Sequence, residues 1–229
     1  MSDFSNFEKN IVEFKDKGLL KRAFTHRSYL NENPSECVKH NERLEFLGDA
    51  VLELASTEFL FSKFPEKAEG EMTSLRAAMV NTKMISEVAG ELGFGGYLLL
   101  SKGEEKEDGR ARQSILADTF EAVVGAIFID QGYDTAQRFL VDNLFPKLKK
   151  IIDEKLWIDA KSLFQEKAQE VVNTTPTYKT IKEWGPDHEK TFTIGVFIGP
   201  DKIAEGEGAS KQEAEQSAAR AGLEAKGWE

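Results

Sequence analysis

Acidic residues recur at helical spacing in two segments of this 229-residue chain. The first segment places Glu42, Glu45 and Asp49 within about 60° of one another on one helix face. The second places Asp118 and Glu121 one turn apart. Like charges at this spacing destabilise a helix by roughly 0.2–0.5 kcal/mol per pair. A hard divalent cation bound by carboxylate oxygens would compensate this repulsion, and it could also activate water to hydrolyse phosphodiesters.

Each acidic segment also contains a glycine. Gly48 directly precedes Asp49, and Gly125 projects within about 20° of Asp118 around the helix axis. A glycine inside a helix costs about 1 kcal/mol relative to alanine, so two of them beside the acids favour a close approach of the backbones. Either helix alone is better explained as a solvated acidic face. Together they predict that the helices cross at the glycines and gather the carboxylates into one metal site.

The elements that carry these residues are predicted from apolar positions spaced three and four residues apart. The predicted helices cover residues 6–16, 18–25, 41–63, 71–80, 83–92, 113–130 and 134–151. Asn41 is predicted to cap the third helix, and Gly132 to end the helix that contains Asp118. Residues 101–112 are polar and contain glycines, which indicates a mobile connection.

The pattern changes after residue 153. A helix over 159–173 is followed by strands at 178–184 and 192–198, a third strand through Ile203 and Glu205, and a last helix over 211–226. This order predicts an α+β domain with two helices on one face of a three-stranded antiparallel sheet. The predicted organisation is an all-α domain at 1–152, a linker at 153–158 and the α+β domain at 159–229.

The composition is that of a soluble globular protein, with 40% hydrophobic and 31% charged residues. The longest apolar run, residues 123–129, is too short to span a membrane. The N-terminus lacks the basic segment and apolar core of a signal peptide. The single cysteine, Cys37, cannot form an internal disulfide, which is typical of a reducing compartment. We therefore expect a cytoplasmic protein with no membrane partner.

The net charge of −10 gives no overall field that would attract nucleic acid. Acids clustered for metal binding contribute to this negative charge, and a local basic surface is enough for nucleic-acid contact. Any such contact must come from individually placed residues.

Several motifs together resemble the ribonuclease III family. They are, in chain order, THRS at 25–28, NERLEFLGDAV at 41–51, EGE at 69–71, LRA at 75–77 and DTFEA at 118–122. The C-terminal part resembles a double-stranded RNA-binding domain, through GPDH at 185–188 and GEGASK at 206–211. The resemblance extends from about residue 6 to residue 228, and it includes two domains in the order that the family has.

The resemblance implies a bacterial-type endoribonuclease that cuts double-stranded RNA as a homodimer. It implies staggered cuts with 5′-phosphate and 3′-hydroxyl ends, and Mg²⁺ as cofactor, one or two ions per site, with Mn²⁺ able to substitute. The expected substrates are ribosomal RNA precursors and other structured transcripts, including messenger and transfer RNA.

The resemblance also implies roles for individual residues of this sequence. Glu45, Asp49, Asp118 and Glu121 match the catalytic metal-binding acids, while Glu42 and Glu69 match two supporting acids. Phe46 matches an aromatic residue that packs into the partner subunit, although its pattern alone favours a core position. No side-chain nucleophile is required.

In the second domain, the residues that match duplex RNA contacts are Gln165, Glu166, Pro186, His188, Ser210 and Lys211. His188 would contact the minor groove, although its context alone indicates a solvated loop residue. Ser210 and Glu213 form a capping box that fixes the start of the last helix. His26 and His40 lack the spacing of a zinc site and are expected to be structural.

Two other functions compete with the nuclease. A catalytically silent binder of double-stranded RNA would share the second domain, but the acidic set here is complete. A metal-dependent phosphohydrolase of small substrates would share the acids, but it would not need an RNA-binding domain.

Overall fold

The computed structural model describes residues 4–36, 38–106, 108–186 and 190–228. Cys37 and His188 therefore lie outside the described residues. The chain forms two compact units, Met1–Trp157 and Ile158–Glu229. The first is helical, and the second is α+β in the order α-β-β-β-α. This arrangement confirms the predicted fold class.

The described helices of the first unit are α1 (Ser5–Asn10), α2 (Lys17–Ala23), α3 (Arg27–Glu32), α4 (Glu42–Lys63), α5 (Glu69–Val80), α6 (Thr82–Glu91), α7 (Gly109–Gln131), α8 (Tyr133–Asn143) and α9 (Lys147–Asp153). Single 3₁₀ turns lie at Phe94–Gly96 and Glu104–Lys106. In the part of the chain that the structure describes, no helix has the length and apolar character needed to cross a membrane.

Two long helices, α4 and α7, form the centre of the first unit, with 22 and 23 residues. The middle of α7 is apolar on nearly all sides, and Phe120, Val123, Val124 and Ile127 have no solvent exposure. A helix of this kind must be surrounded by other elements. The core therefore holds α7 rigidly, and the acids of α4 and α7 lie where these two helices meet.

The predicted helix over 134–151 is wrong as a single element, because the structure divides it into α8 and α9. Pro146 precedes the first residue of α9, and a proline at this position favours the start of a new helix. The first helix ends at Asn10, not at residue 16, and α3 was not predicted. Asn41 does precede α4, but its side chain donates a hydrogen bond to the carbonyl of Ala23 (3.3 Å) and does not cap the helix.

The second unit consists of α10 (Ala160–Val172), β1 (Thr177–Trp184), β2 (Thr191–Ile198), β3 (Asp201–Gly208) and α11 (Lys211–Lys226). The strands are antiparallel in the order β1-β2-β3. Both helices pack on one face of the sheet, around Phe164, Val196 and Leu223. The register of β1 against β2 shifts between Thr180 and Lys182, which leaves Ile181 as the extra residue of a bulge.

Candidate active site

The backbones of α4 and α7 touch where the two helices cross. A Cβ atom built on Gly48 would lie 1.7 Å from the carbonyl oxygen of Glu121. A Cβ atom on Gly125 would lie 2.2 Å from the carbonyl oxygen of Leu44. Because backbone atoms inside helices cannot move aside, this crossing requires glycine at both positions. The predicted crossing is therefore confirmed.

The crossing brings acids of both helices into one electrostatic environment. Burial raises the pKa of the Glu121 carboxyl to about 8, and the charges of Asp49, Asp118 and Glu45 add to this shift. Burial also raises the pKa of Glu45, with further contributions from Asp118, Glu42 and Asp49. The charges of Glu45 and Asp49 on α4 thus act on Glu121 of α7, and the charge of Asp118 on α7 acts on Glu45 of α4.

The rise in the pKa of Asp118 is partly offset by neighbouring groups. Burial raises the pKa of its carboxyl, while an electrostatic interaction with His26 and a hydrogen bond from Ser114 oppose that rise. His26 caps α3 by accepting a hydrogen bond from the backbone N–H of Ser28, and its Nδ1 lies 2.8 Å from the hydroxyl of Ser28. His26 therefore has the expected structural role, as the cap of α3, and it also lowers the pKa of Asp118.

The two acids predicted to be supporting residues occupy different surroundings. Glu42, the first residue of α4, lies 3.4 Å from Arg27 Nη1 and 3.7 Å from His40 Nδ1, and its charge acts on Glu45. Glu69, the first residue of α5, lines a surface pocket. The charges that shift the pKa values of Glu45, Asp118 and Glu121 come from other described residues than Glu69. Glu42 therefore acts on the acidic cluster through its charge, whereas Glu69 borders the pocket between α4 and α5.

Glu53 is an acid of this site that the sequence analysis missed. It lies one turn after Asp49 on α4, and its charge raises the pKa of Glu121. Arg76 Nε lies 2.9 Å from its carboxylate, and Arg76 also donates a hydrogen bond to Thr57 (2.8 Å). The spacing of four residues after Asp49 is a signal that could have identified Glu53.

The chemistry of the donor set fits a hard divalent cation, since all the candidate ligands are carboxylate oxygens. Among the described residues, no three side chains of His, Cys, Asp or Glu already stand in a metal-binding geometry. The carboxylates interact through their charges at longer range, and their side chains would have to turn toward a bound ion. A cation would also favour the charged forms that burial and mutual repulsion now disfavour.

The described residues predicted to contact RNA have side chains that are exposed or partly exposed in the second unit. Gln165 and Glu166 are exposed on α10, where they line a shallow groove with Gln169 and Glu170. Pro186 is exposed after β1. The prediction for His188 concerns a residue outside the described ranges.

The start of α11 has the predicted capping arrangement. The hydroxyl of Ser210 accepts a hydrogen bond from the backbone N–H of Glu213 (3.1 Å). The carboxylate of Glu213 accepts one in return from the backbone N–H of Ala209 (3.0 Å). Lys211 follows as the first residue of the helix, and its side chain is exposed. An exposed lysine at a capped helix N-terminus is well placed to meet phosphate.

Phe46 is not a core residue, because its side chain is 82% exposed. It lies on α4 directly after Glu45, at the edge of the acidic cluster. The same unit has a surface pocket of about 230 Å³ between α4 and α5. The residues lining that pocket are Thr57, Leu60, Phe61, Glu69, Met72, Thr73 and Arg76.

Comparison with known proteins gives matches to both units. Residues 16–148 match the family model described as ribonuclease-III-like, and residues 160–226 match the double-stranded RNA binding motif. A Ribonuclease 3 of Geobacillus thermodenitrificans is 45% identical over 96% of this chain and 90% of its own length. A Ribonuclease 3 of Roseiflexus is 43% identical over 93% of this chain and 91% of its own length. A solved nuclease domain of ribonuclease III from Campylobacter jejuni is 42% identical, with a TM-score of 0.56 over 63% of this chain and 99% of that one.

Proposed function

The chain belongs to the ribonuclease III family and is a double-strand-specific endoribonuclease, and we propose that Glu45, Asp49, Asp118 and Glu121 bind its catalytic divalent metal. The observation that supports this assignment is that the charges of Asp49, Asp118 and Glu45 raise the pKa of Glu121, at a crossing that fixes both backbones. Glu42 and Glu69 are proposed to be supporting acids in metal or substrate handling.

The metal is proposed to be Mg²⁺, one or two ions per site, with Mn²⁺ able to substitute. A bound ion of this kind lowers the pKa of water and stabilises charge on a phosphate and its leaving oxygen. The chain contributes the oxygen ligands and a rigid helix crossing that keeps them together. No side-chain nucleophile takes part. Water would attack the phosphorus and the bond from phosphorus to the 3′ oxygen would break, so the proposed products carry 5′-phosphate and 3′-hydroxyl ends.

The proposal is tested by incubating the protein with long duplex RNA in EDTA, in Mg²⁺ and in Ca²⁺, while cleavage and binding are measured separately. We expect binding in all three conditions and rapid cleavage only with Mg²⁺. Cleavage at the same rate in EDTA would contradict the metal assignment.

The second unit is proposed to hold the duplex through Gln165, Glu166, Pro186, His188, Ser210 and Lys211. Domains of this family span about 16 bp, with contacts to two minor grooves and to the phosphates of the major groove between them. The exposed positions of Gln165, Pro186 and Lys211 support this assignment. The proposed domain limits are 1–152 for the nuclease and 159–229 for the RNA-binding domain, joined by residues 153–158.

Position 212 offers a test of the phosphate contact at α11. At this helix start the chain has one basic residue, Lys211, followed by the neutral Gln212. We expect Gln212→Lys to steepen the slope of log K against log salt by roughly 0.7–0.9 for duplex RNA, which corresponds to one additional phosphate contact. Lys211→Ala should flatten the slope and weaken binding to all duplex sequences about equally.

Both variants are measured by titration of labelled duplex at several salt concentrations in EDTA, with Glu224→Gln near the other end of α11 as control. If Gln212→Lys leaves the slope unchanged while Lys211→Ala flattens it, residue 212 does not reach the phosphates.

We further propose that two copies of the chain form the active enzyme, since one acidic cluster per chain must serve two RNA strands. The Campylobacter jejuni nuclease domain is described with a region involved in dimer formation. In this chain, Phe46 is an exposed ring, and the pocket between α4 and α5 is larger than the roughly 150 Å³ that holds benzene. The ring of each copy is therefore proposed to occupy the pocket of the other, in an isologous contact.

Phe46→Ala should weaken this dimer strongly, because the contact occurs twice. A buried aromatic anchor contributes about 2 kcal/mol or more, so the dimer dissociation constant should rise by a factor of several hundred. Analytical ultracentrifugation measures the shift from twice the 25.7 kDa chain mass to the single mass. Val171→Ala, which truncates an apolar side chain that is 58% exposed in the second unit, is the matched control. A stable monomer that still makes staggered double-strand cuts would refute the arrangement.

The proposed substrates are ribosomal RNA precursors and structured messenger and transfer RNA transcripts in the cytoplasm. Sequencing the 5′ ends that accumulate in cells with and without the active protein would identify them.

A further inference from the structure

The sheet of the second unit has one face that α10 and α11 cover and one that no described element of that unit covers. Ile194, Val196 and Ile198 of β2 point toward the helices. Because side chains alternate along a strand, the residues between them point the other way. We call this second side the outer face, and its defining residues are Lys179, Ile181, Lys182, Trp184 and Phe197.

The outer face exposes apolar side chains to solvent. Ile181 is 47% exposed and Trp184 is 37% exposed. The side chains of Ile181 and Phe197 lie over Gly195, where a Cβ atom would come within 2.9 Å of both. The glycine therefore leaves space for the phenyl ring to lie along the sheet. In strand register, Trp184 and Phe197 are separated by six residue positions, or about 20 Å.

Two lysines accompany these rings. Lys179 Nζ lies 4.9 Å from the centre of the Phe197 ring, and Lys182 Nζ lies 4.8 Å from that of Trp184. Both distances are within the range of cation–π contacts. Within the described ranges neither ammonium forms an ion pair, whereas Lys202 on the same face pairs with Glu205. The positive charges of Lys179 and Lys182 are therefore available to an anion.

Flat rings alternating with free cations form the pattern that single-stranded nucleic acids bind, because bases stack on the rings and phosphates meet the cations. A duplex cannot use such a surface, since its bases are already stacked inside. We propose that the outer face binds single-stranded RNA that continues from the duplex held by the same domain. This inference extends the proposed function and depends on it.

The position of Trp184 supports this continuity. It is the last residue of β1, and Gly185 and Pro186 follow it directly. Pro186 belongs to the set proposed to contact the duplex. A strand that leaves the duplex at this loop therefore meets Trp184 first and reaches Phe197 at the other end of the sheet.

The experiment compares two RNAs bound by the full chain in EDTA, where cleavage is prevented. One is a blunt duplex of roughly 20 bp, longer than the footprint of about 16 bp, and the other is the same duplex with single-stranded uridine tails. Fluorescence anisotropy gives both dissociation constants. We expect the tails to strengthen binding about tenfold, which corresponds to stacking of one or two bases.

Three variants locate this gain on the outer face. The double variant Lys179→Ala/Lys182→Ala and the single variant Phe197→Leu should each remove most of the tail effect and leave the affinity for blunt duplex unchanged. Lys202→Ala is the matched control and should keep the full effect, because its ammonium is already paired with Glu205. If Phe197→Leu does not fold, the lysine double variant, whose side chains are exposed, decides the question.

The remaining outcomes separate this inference from the proposed function. If blunt duplex binds and the tails add nothing, the outer face does not bind RNA, while the proposed function stands. If the blunt duplex does not bind at all, both proposals fail. If polyglutamate displaces the tail as well as free oligouridine does, the face recognises acidic chains in general and the assignment to single-stranded RNA is overturned.

Discussion

Glu121→Gln should abolish cleavage of duplex RNA while duplex binding remains within about twofold of the unaltered protein. The substitution keeps the shape of the side chain and removes a negative charge that a metal ion would need. We expect turnover to fall by at least a factor of about 1,000, equivalent to roughly 4 kcal/mol of transition-state stabilisation. Binding is preserved because the residues proposed to hold RNA lie in the second unit. Cleavage and gel-shift assays on one labelled duplex measure both quantities.

A loss of activity through unfolding can be separated from a loss of chemistry. The pKa of Glu121 is raised from 4.5 to about 8, so between these pH values the folded protein holds a proton that the unfolded chain has lost. Stability in EDTA therefore falls as pH rises through this window, and a glutamine lacks this effect. The variant should be at least as resistant to heat as the unaltered protein at pH 8. A variant that unfolds more readily there would contradict our account of the site.

The matched control is Glu91→Gln in the same unit, an acid of α6 that pairs with Lys147. It should keep nearly normal turnover. If Glu121→Gln also keeps turnover within tenfold of normal, then Glu121 is not a metal ligand and the carboxylate cluster needs another explanation.

The crossing of α4 and α7 could be predicted because its determinants are local in sequence. The acids and the glycines repeat at helical spacing, so a single helix already displays both on one face. The strands of the second unit could be predicted for the same reason, since Ile194 and Val196 alternate with residues of the opposite face. In each case the signal lies within one element.

Features that depend on distant residues could not be predicted in this way. The predicted first helix continued to residue 16 because Phe7, Ile11 and Phe14 keep a helical period. The structure ends it at Asn10, and the backbone N–H groups of Lys15 and Asp16 donate to the carboxylate of Asp130, more than a hundred positions away. A local sequence pattern cannot reveal a partner so distant in the chain. Because this partner accepts hydrogen bonds from the backbone N–H groups, the loop leaves them no less paired than a helix would.

The division between α8 and α9 has a related cause. Leu140, Leu144 and Leu148 continue the apolar period across the break and all are buried. The spacing of these leucines therefore indicates that both helices face the same core, but it does not show that the backbone is one continuous helix. Pro146 indicates where the second helix begins. Where the two signals disagree, the proline is the better guide, because it acts on the backbone directly.

The largest structural effect is expected from Gly48→Ala, a change of one methyl group. The new Cβ atom would lie 1.7 Å from the carbonyl oxygen of Glu121 and 2.9 Å from the backbone nitrogen of Gly125, so the two helices must separate. Overpacking in a core usually costs 1–3 kcal/mol, and contact with backbone places this case at about 3 kcal/mol or more. That is a large part of the 5–15 kcal/mol that stabilises an ordinary domain. Thermal unfolding followed by circular dichroism measures the loss.

Gly90→Ala is the matched control, and we expect it to stabilise the protein, in contrast to Gly48→Ala. Gly90 lies in α6, and a Cβ atom there would meet nothing within 4 Å. Alanine should therefore stabilise the protein by up to about 1 kcal/mol, through helix propensity alone. Because the helix crossing also sets the distance between the acids of α4 and α7, Gly48→Ala should lose cleavage at temperatures where it remains folded, while Gly90→Ala retains it. A Gly48→Ala protein that melts no lower than the unaltered chain would show that the helices separate without cost, and the crossing would then not be what holds the carboxylates together.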